Sequence, residues 1–440
     1  MVLALAPAPT RAQETYPVHP DAVTKTDVPR GTVEKFRFAD SKVFPGTVRD
    51  VALYIPAQYK SAQDRSAKDK STKPAAVMVF QDGLKYIRKN SPWALPTVFD
   101  NLIARGEMPV TIAICINPGI VPGGQNAQDR FNRSFEYDSV SDRYARFVVD
   151  EILPKVAEKY TLTDDPNMRG IGGSSSGAIA AFGVAWHRPD AFRRVFSTVG
   201  TFVGLRGGNE YPTLIRKTEP KPLRVFLQDG SNDLDIYGGS WWNANLTMLS
   251  ALQWGGYSVQ HVWGQGGHNG KHGAAIFPDA MKWLWQDFDQ PIAAPKIQGQ
   301  VEWSKWLVDG QDWVRAGAAK VAMDDSGASV RVGDRTYDLS DSPPVVPSNP
   351  AAAVATPDRR FILVAFDDQR HVWSLRISDN GSLVDAQPYG YLHTPQTELR
   401  TGVTAATMTI DGKALFATTM GIQCFDQPGR VHLIIDSPVP

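Results

Sequence analysis

The chain has 440 residues, and its 46 basic and 46 acidic side chains leave no formal net charge at pH 7. This balance argues against nucleic acid or an anionic membrane as a partner, and without an apolar run of about 18 residues the sequence predicts no membrane-spanning helix. The length predicts two domains with full hydrophobic cores. The two cysteines, Cys115 and Cys424, are interpreted as buried small side chains rather than a disulfide framework.

The first residues resemble the apolar part of a secretory signal, with small residues near Ala12 and no positively charged segment in front. We therefore expect residues 1–30 to form a signal-like or extended arm, and the protein to be periplasmic or secreted. The polar and charged composition of residues 59–74 predicts a flexible loop between two early strands.

Two segments in the first third of the chain carry polar groups that are candidates for a functional site. The strand pattern from Ala76 to Phe80 ends in the turn Gln81-Asp82-Gly83-Leu84. Further on, Arg133 and Glu136 allow two interpretations, contact with a substrate or a buried ion pair.

A G-x-S-x-G pentapeptide, Gly173-Ser174-Ser175-Ser176-Gly177, follows an apolar strand pattern and opens onto a helix pattern at residues 178–182. This context is typical of a nucleophile elbow, where a serine lies on a sharp strand-to-helix turn and glycines leave room for the neighbouring chain. The pattern selects Ser175 among the three serines. A Ser/Gly-rich helix cap is the alternative interpretation.

Downstream, an acid and a histidine follow the serine in the chain order of an α/β-hydrolase. A strand pattern over residues 222–228 ends in a turn that carries Asp229, Asp233 and Asp235. A second strand pattern, residues 257–263, leads into a glycine-rich loop with His268, and residues 274–288 predict one closing helix. In such a set the imidazole takes the serine proton, and a carboxylate on its other nitrogen fixes the tautomer.

These features together resemble the enterochelin-esterase and feruloyl/acetylxylan-esterase group of α/β-hydrolases, the family-1 carbohydrate esterases. The resemblance spans residues 30–290 and rests on five segments: Arg133 to Tyr137, Glu151 to Pro154, Gly172 to Gly177, Arg188 to Phe192 and Gly266 to His268. It implies an α/β fold with a mostly parallel central sheet, Ser175 as the nucleophile and His268 as the base. It also implies Asp233 as the acid, with Asp229 and then Asp235 as alternatives.

The negative charge of a tetrahedral intermediate requires backbone donors beside the nucleophile, in an oxyanion hole. Ser176 is expected to supply one donor. The turn after the early strand is expected to supply the other, from Leu84 or Gly83, because its Asp-Gly pair resembles the esterase pattern. An ordinary tight turn is the alternative for this segment.

Aromatic residues near the acid, Trp241 and Trp242, are candidates to contact a sugar ring or a phenolic acid, together with Arg133. The alternative is that Trp242 anchors a helix in the core. His272 lies four residues after His268, but the glycines around it argue against a helix and no metalloprotease pattern is present. We therefore expect no metal site, and a solvent-facing His272 at the rim of the pocket.

After a linker at residues 291–300, residues 301–440 change to short alternating strands such as 361–366, 371–375, 414–418 and 431–435. This β-rich module resembles two blades of a gluconolactonase-type β-propeller. It is too short for a closed propeller, and the stretch Gly402 to Met408 lacks the metal-binding aspartate that such lactonases carry. We expect a structural module or one that forms a homodimer.

The sequence thus predicts an esterase domain over residues 31–290, a serine carboxylester hydrolase that needs no cofactor. The expected substrates are feruloyl or acetyl esters of plant carbohydrate. Two alternatives remain, a siderophore trilactone esterase, whose cleft would need cations for catecholate groups, and a carbohydrate-binding protein with a degenerate esterase domain.

Overall fold

The computed structural model describes residues 15–59, 74–125, 127–295, 329–332, 335–339, 346, 350–396, 398, 400–426 and 428–435. Most of the predicted signal-like segment (1–14), most of the polar loop (60–73) and residues 296–328 lie outside these ranges. The chain divides into two compact units, one of Met1–Pro212 with Lys221–Pro295 and one of Thr213–Pro220 with Lys296–Pro440. The domain limits expected from the sequence stay predictions.

The strands up to residue 295 are, in chain order, β1 (Thr32–Phe38), β2 (Arg49–Ile55), β3 (Ala76–Gln81), β4 (Thr111–Ile116), β5 (Ile120–Val121), β6 (Arg130–Phe131), β7 (Arg169–Ser174), β8 (Arg194–Thr198), β9 (Arg224–Gly230), β10 (Asp235–Ile236), β11 (Gly239–Ser240) and β12 (Ser258–Gly264). The helices are α1 (Leu84–Ile87), α2 (Leu95–Ala104), α3 (Arg133–Tyr137), α4 (Arg143–Arg146), α5 (Leu153–Ala157), α6 (Ser176–His187), α7 (Tyr211–Arg216), α8 (Trp241–Trp254), α9 (Lys271–Ala275) and α10 (Phe277–Trp285).

An eight-stranded sheet runs in the order β1-β2-β4-β3-β7-β8-β9-β12. From β4 to β12 all neighbours are parallel, whereas β2 pairs antiparallel with both β1 and β4. Strands β3 and β4 are mainly apolar and buried on both faces, as parallel strands covered by helices require. This is the predicted α/β-hydrolase fold. The chain passes from β3 to β4 on one side and to β7 on the other, so a crevice opens at the carboxyl ends of β3 and β7.

An aromatic core covers one face of this sheet, where Phe277 of α10 packs against Phe80, Trp93, Phe99 and Phe196. The closing helix predicted over residues 274–288 is α10, which starts later and ends earlier, while residues 274 and 275 belong to the preceding helix α9. Pro278 lies in the first turn of α10. Proline has no N–H to donate and clashes with the carbonyl four residues earlier, so the first helix cannot continue through it.

The second unit contains antiparallel sheets, as the alternating patterns predicted. Its strands are β13 (Ser329–Val332), β14 (Arg335–Asp338), β15 (Ala352–Ala355), β16 (Phe361–Ala365), β17 (His371–Ile377), β18 (Leu383–Tyr391), β19 (Ala405–Met408), β20 (Ala414–Thr418), β21 (Gly421–Phe425) and β22 (Val431–Ile435). Strands β15–β18 and β19–β22 form two four-stranded sheets. The likeness to a propeller stays a prediction.

A short segment from the middle of the chain joins this second unit. The backbone N–H of Glu219 donates to the carbonyl of Thr394 at 3.0 Å, and Gln396 Nε2 donates to the carbonyl of Pro220 at 2.8 Å. This pairing was not predicted, because the partners are far apart along the chain. In the described ranges, no helix is long and apolar enough to cross a membrane.

Candidate active site

Three residues with strained backbones follow three neighbouring parallel strands. Ser175, between β7 and α6, has φ 59° and ψ −126°. Asp82 after β3 and Val199 after β8 have φ values of 50° and 43°. Non-glycine residues rarely adopt positive φ, and such strain concentrates at functional sites. A Cβ on Gly173 would overlap the backbone of Gly177, which explains why position 173 is a glycine.

The structure brings together the serine, the histidine and one of the three candidate carboxylates. Ser175 Oγ lies 2.7 Å from His268 Nε2, and His268 Nδ1 lies 2.6 Å from Asp233 Oδ1. The Asp233 side chain is fully buried, whereas His268 is 22% exposed. The carboxylate Asp235 is exposed on the following strand, and Asp229 lies inside β9.

Paired loops carry the histidine and the carboxylate to the same place. Strands β9 and β12 run parallel with Gly230 beside Gly264, and the loops beyond them stay joined. Ser231 N donates to the carbonyl of Gly264 at 2.9 Å, and Asn232 N donates to that of Gly266 at 3.2 Å. A Cβ on Gly230 would overlap the backbone of Gly266, so this close approach requires a glycine.

The two expected sources of the second oxyanion donor differ in the structure. The Gly83 N–H already donates to the carbonyl of Ile116 at 2.9 Å, so the assignment of Gly83 is corrected. Leu84 N has only a 3.3 Å bond to Asn117 Oδ1, which a substrate oxygen can replace. Ser176 begins α6, where first-turn N–H groups have no acceptor within the helix.

Arg133 contacts the residue after the nucleophile rather than the nucleophile itself, and its expected contact with a substrate stays a prediction. Its guanidinium forms an ion pair with Asp82 at 2.8 Å and donates to Ser176 Oγ at 3.0 Å. It thereby connects the turn after β3 with the residue after Ser175. Glu136 forms a 2.7 Å ion pair with Arg49, and both side chains are fully buried, in agreement with the ion-pair interpretation.

Trp241 is buried, and this burial argues against the expected contact with a substrate. Its Nε1 donates to Thr201 Oγ1 at 3.1 Å, and Thr201 Oγ1 lies 3.2 Å from Ser175 Oγ. Its ring packs edge to face on His268, with 5.7 Å between centroids. The sequence analysis missed Thr201, although a small polar residue just after β8 was a signal for it.

For the neighbouring Trp242, the expected contact with a substrate stays a prediction, whereas the alternative of a core anchor is wrong. Its ring packs against Trp263 at 5.4 Å between centroids, and it is only half-buried. The side chain that anchors α8 in the core is therefore Trp241, which is 3% exposed.

His272 is not solvent-facing, and this prediction is wrong. Its ring stacks on Tyr16 with 4.6 Å between centroids, and its Nδ1 lies 3.3 Å from Gln228 Nε2. The glycine-rich segment around it still forms one helical turn, α9, and the N-terminal segment covers it. His268 lies outside this turn, so the two histidines do not share a helix face.

A cavity of about 330 Å³ opens beside Ser175 and His268. Three basic side chains, Lys85, Arg88 and Lys271, are among its lining residues, and none of the described lining residues is acidic. Burial lowers the pKa of Lys85 to about 8, against the opposite effect of the Asp82 carboxylate, which lies 3.8 Å away. Trp93 adds an aromatic wall to the cavity.

Comparisons with known proteins agree with this architecture. The family model described as "Putative esterase" matches residues 42–288, more than half of the chain. The "Iron(III) enterobactin esterase" of Dickeya dadantii (strain 3937) is 28% identical over 164 residues, which are 34% of this chain and 36% of that protein. The chain therefore spans about a third of that curated relative.

Two solved structures are similar in part. An enterobactin esterase from Shigella flexneri is 17% identical, with 62% of this chain and 63% of that chain covered and a TM-score of 0.46. A ferulic acid esterase is 16% identical, with 58% and 98% covered and a TM-score of 0.46. The family model matches more than half of the chain, and the chain therefore belongs to the putative esterase family.

Proposed function

We propose that Ser175, His268 and Asp233 hydrolyse the ester through an acyl-enzyme. Ser175 Oγ attacks the ester carbonyl while His268 Nε2 takes its proton, and the 2.7 Å separation of these atoms supports this step. The protonated imidazole then donates to the leaving alkoxide, and the bond between the carbonyl carbon and that oxygen breaks. Water, activated by the same nitrogen, releases the acid and restores Ser175.

Asp233 has two tasks in this scheme. Its Oδ1 accepts the Nδ1–H of His268, which leaves Nε2 free to act as the base. Its negative charge stabilises the imidazolium that forms in each step. The backbone N–H groups of Ser176 and Leu84 are the proposed donors to the oxyanion, with Arg133 fixing the two segments that carry them.

For the substrate, we propose an ester with an anionic group beside the scissile bond, as in the siderophore alternative. The observation that carries this proposal is the cationic lining of the cavity by Lys85, Arg88 and Lys271. Cations in a partly enclosed cleft attract anionic substrates. The partial similarity to an iron(III) enterobactin esterase agrees with this class.

Feruloyl or acetyl esters of plant carbohydrate remain the second candidate. Trp93 lines the same cavity with the small exposed part of its ring, which offers an apolar contact for a phenolic ring. Such substrates are neutral around the ester, so they form no ion pair with the three cations. The degenerate carbohydrate-binding alternative is disfavoured by the short hydrogen bonds that join Ser175, His268 and Asp233.

A comparison of anionic and neutral esters tests which of the two substrate classes is correct. The kcat/KM values of linear 2,3-dihydroxybenzoyl-serine esters, methyl ferulate, acetylated xylan and neutral nitrophenyl esters are compared on wild type, Lys85→Gln and Arg88→Gln. We expect the substitutions to lower kcat/KM for the anionic esters by about 3- to 10-fold each, the scale of a partly exposed charge interaction. Neutral nitrophenyl esters should be unaffected.

Lys89→Gln is the matched control, because Lys89 is an exposed neighbour of Arg88 that does not line the cavity. Preference for methyl ferulate or acetylated xylan, with no effect of Lys85→Gln or Arg88→Gln on any ester, would contradict the anionic class and favour the second candidate.

A further inference from the structure

A second buried carboxyl group lies beside the acid of the proposed catalytic set. Asp229, the penultimate residue of strand β9, is fully buried. Its Oδ1 accepts the N–H of Gly230 at 2.7 Å, and its Oδ2 accepts from Asn245 Nδ2 at 2.8 Å. Asp233 lies close enough to raise the pKa of Asp229, and the turn between them is closed by the hydrogen bond from Asp233 N to the carbonyl of Gly230 at 2.9 Å.

The two oxygens of Asp233 differ in their partners. Leu234 N and His268 Nδ1 both lie 2.6 Å from Oδ1. The other oxygen, Oδ2, is buried and receives no hydrogen bond from an N–H or hydroxyl group of the described residues. A buried carboxylate oxygen without a donor is costly, so a proton on the neighbouring carboxyl group would satisfy it.

Elementary electrostatics decides where that proton resides. Two carboxylates in contact and away from water cannot both be ionised. Asp233 is the one that faces His268, whose positive form during the reaction favours an ionised Asp233. Burial raises the pKa of Asp229 to about 9, and the hydrogen bond with Asp233 and its negative charge act in the same direction.

We propose that Asp229 is a positioning residue, a neutral carboxylic acid whose hydroxyl donates to Asp233 Oδ2 and holds Oδ1 against His268. The inference rests on the proposed function, since it assigns Asp233 to the catalytic set. The Asp229 proton stays on Asp229 throughout turnover, and only the serine proton moves, through His268 Nε2 to the leaving group.

Few ionisable groups of the described residues surround the proton on the Asp229 carboxyl group. The loop after β9 contributes Asp233, and the loop after β12 contributes His268 beyond it. From α8 comes the amide of Asn245, which also donates to the carbonyls of Gly200 and Trp241. Ionisation of Asp229 at alkaline pH would therefore place a second negative charge directly against Asp233 and disturb its hydrogen bond to His268.

The test compares Asp229→Asn, which keeps a hydrogen-bond donor, with Asp229→Val, which removes it at similar volume. Asp235→Asn is the matched control, because Asp235 is an exposed carboxylate of the same segment. The readout is kcat from pH 6 to pH 10 with a neutral nitrophenyl ester, so that the charge of Lys85 does not affect binding. A Ser175→Ala blank corrects for spontaneous hydrolysis.

We expect wild-type kcat to fall above about pH 9, in line with the raised pKa of Asp229. Asp229→Asn should keep kcat at pH 7 within about threefold and lose the alkaline fall, because an amide does not ionise. Asp229→Val should lower kcat at least tenfold with KM unchanged.

Equal losses in Asp229→Asn and Asp229→Val, or an alkaline fall that persists in Asp229→Asn, would overturn the proposal. If Asp229→Val does not fold, the pH profile of Asp229→Asn alone still decides. Fluorophosphonate labelling of wild type, lost in Ser175→Ala, tests the proposed function separately from Asp229.

Discussion

Replacement of Asp233 by asparagine tests how the acid acts, because the amide has one acceptor and one donor in place of two acceptors. The Leu234 N–H points at Oδ1 from 2.6 Å, so the amide oxygen should occupy that position. It then still accepts the Nδ1–H of His268, and the amide nitrogen faces Asp229. The tautomer of His268 is preserved, and the main loss is the negative charge beside the imidazolium.

The size of this loss follows from the geometry. A charge pair about 4 Å apart at an effective dielectric constant of about 20 interacts by about 4 kcal/mol, which corresponds to about 10³-fold in rate. The substitution removes two of the causes that raise the pKa of Asp229, whereas burial, the largest cause, remains, so Asp229 replaces the missing charge only in part. We therefore expect kcat to fall by about 10²- to 10³-fold, with KM little changed.

The assay is kcat at pH 7 on a neutral nitrophenyl ester, with sites counted by fluorophosphonate titration. The double variant Asp229→Asn/Asp233→Asn should be slower than Asp233→Asn, because no carboxylate remains beside His268. A kcat within tenfold of wild type in Asp233→Asn would refute the charge argument. A loss of about 10⁴-fold, the scale of a wrong tautomer, would refute the predicted orientation of the amide.

Three further outcomes can be measured. Trp241→Phe removes the N–H that donates to Thr201 but keeps a ring against His268, so kcat should fall about 3- to 10-fold at constant KM in steady-state assays, whereas equal kcat would contradict the contact. Gly173→Ala should lower the free energy of unfolding by about 1–3 kcal/mol in urea titrations, because its Cβ overlaps Gly177; unchanged stability would contradict the tight elbow. For an anionic ester, KM should rise above about pH 8 as Lys85 loses its proton, and a flat KM in wild type would contradict the role of Lys85.

The sequence was sufficient for the parts of the site that depend on local pattern and chain order. The pentapeptide selected Ser175, and the glycine-rich loop after the last strand selected His268. Asp233 came from the resemblance alone, since three carboxylates follow the same strand. The choice depends on the turn Gly230 to Asp233, where Asp233 N donates to the carbonyl of Gly230 at 2.9 Å.

The predictions of individual site residues failed mainly because the sequence does not show in which direction a side chain or a backbone N–H points. One residue along a helix turns the side chain by about 100°, and this separates the buried Trp241 from the half-buried Trp242. Likewise, nothing in the sequence tells that the Gly83 N–H is engaged by Ile116 while Leu84 N has only a long bond. Such distinctions require the tertiary structure.

The sequence also could not predict which distant segments come together in the folded chain. The cations of the cavity come from the segment around α1 and from the start of α9, which are far apart in sequence. The pairing of Asp229 with Asp233 depends on how the turn folds back on β9. Each such feature is a tertiary contact with no periodic pattern, so the sequence predicted an esterase site but not the charge of its cavity.

The most direct measurement is fluorophosphonate labelling of wild type and Ser175→Ala, with the modified residue located by peptide mass spectrometry and ester turnover recorded on the same samples. We expect one label per chain on Ser175 in wild type. In Ser175→Ala we expect neither label nor turnover, with an unchanged thermal unfolding midpoint because the hydroxyl serves only the chemistry. Labelling at Ser174 or Ser176, or ester turnover that survives in Ser175→Ala, would contradict the account.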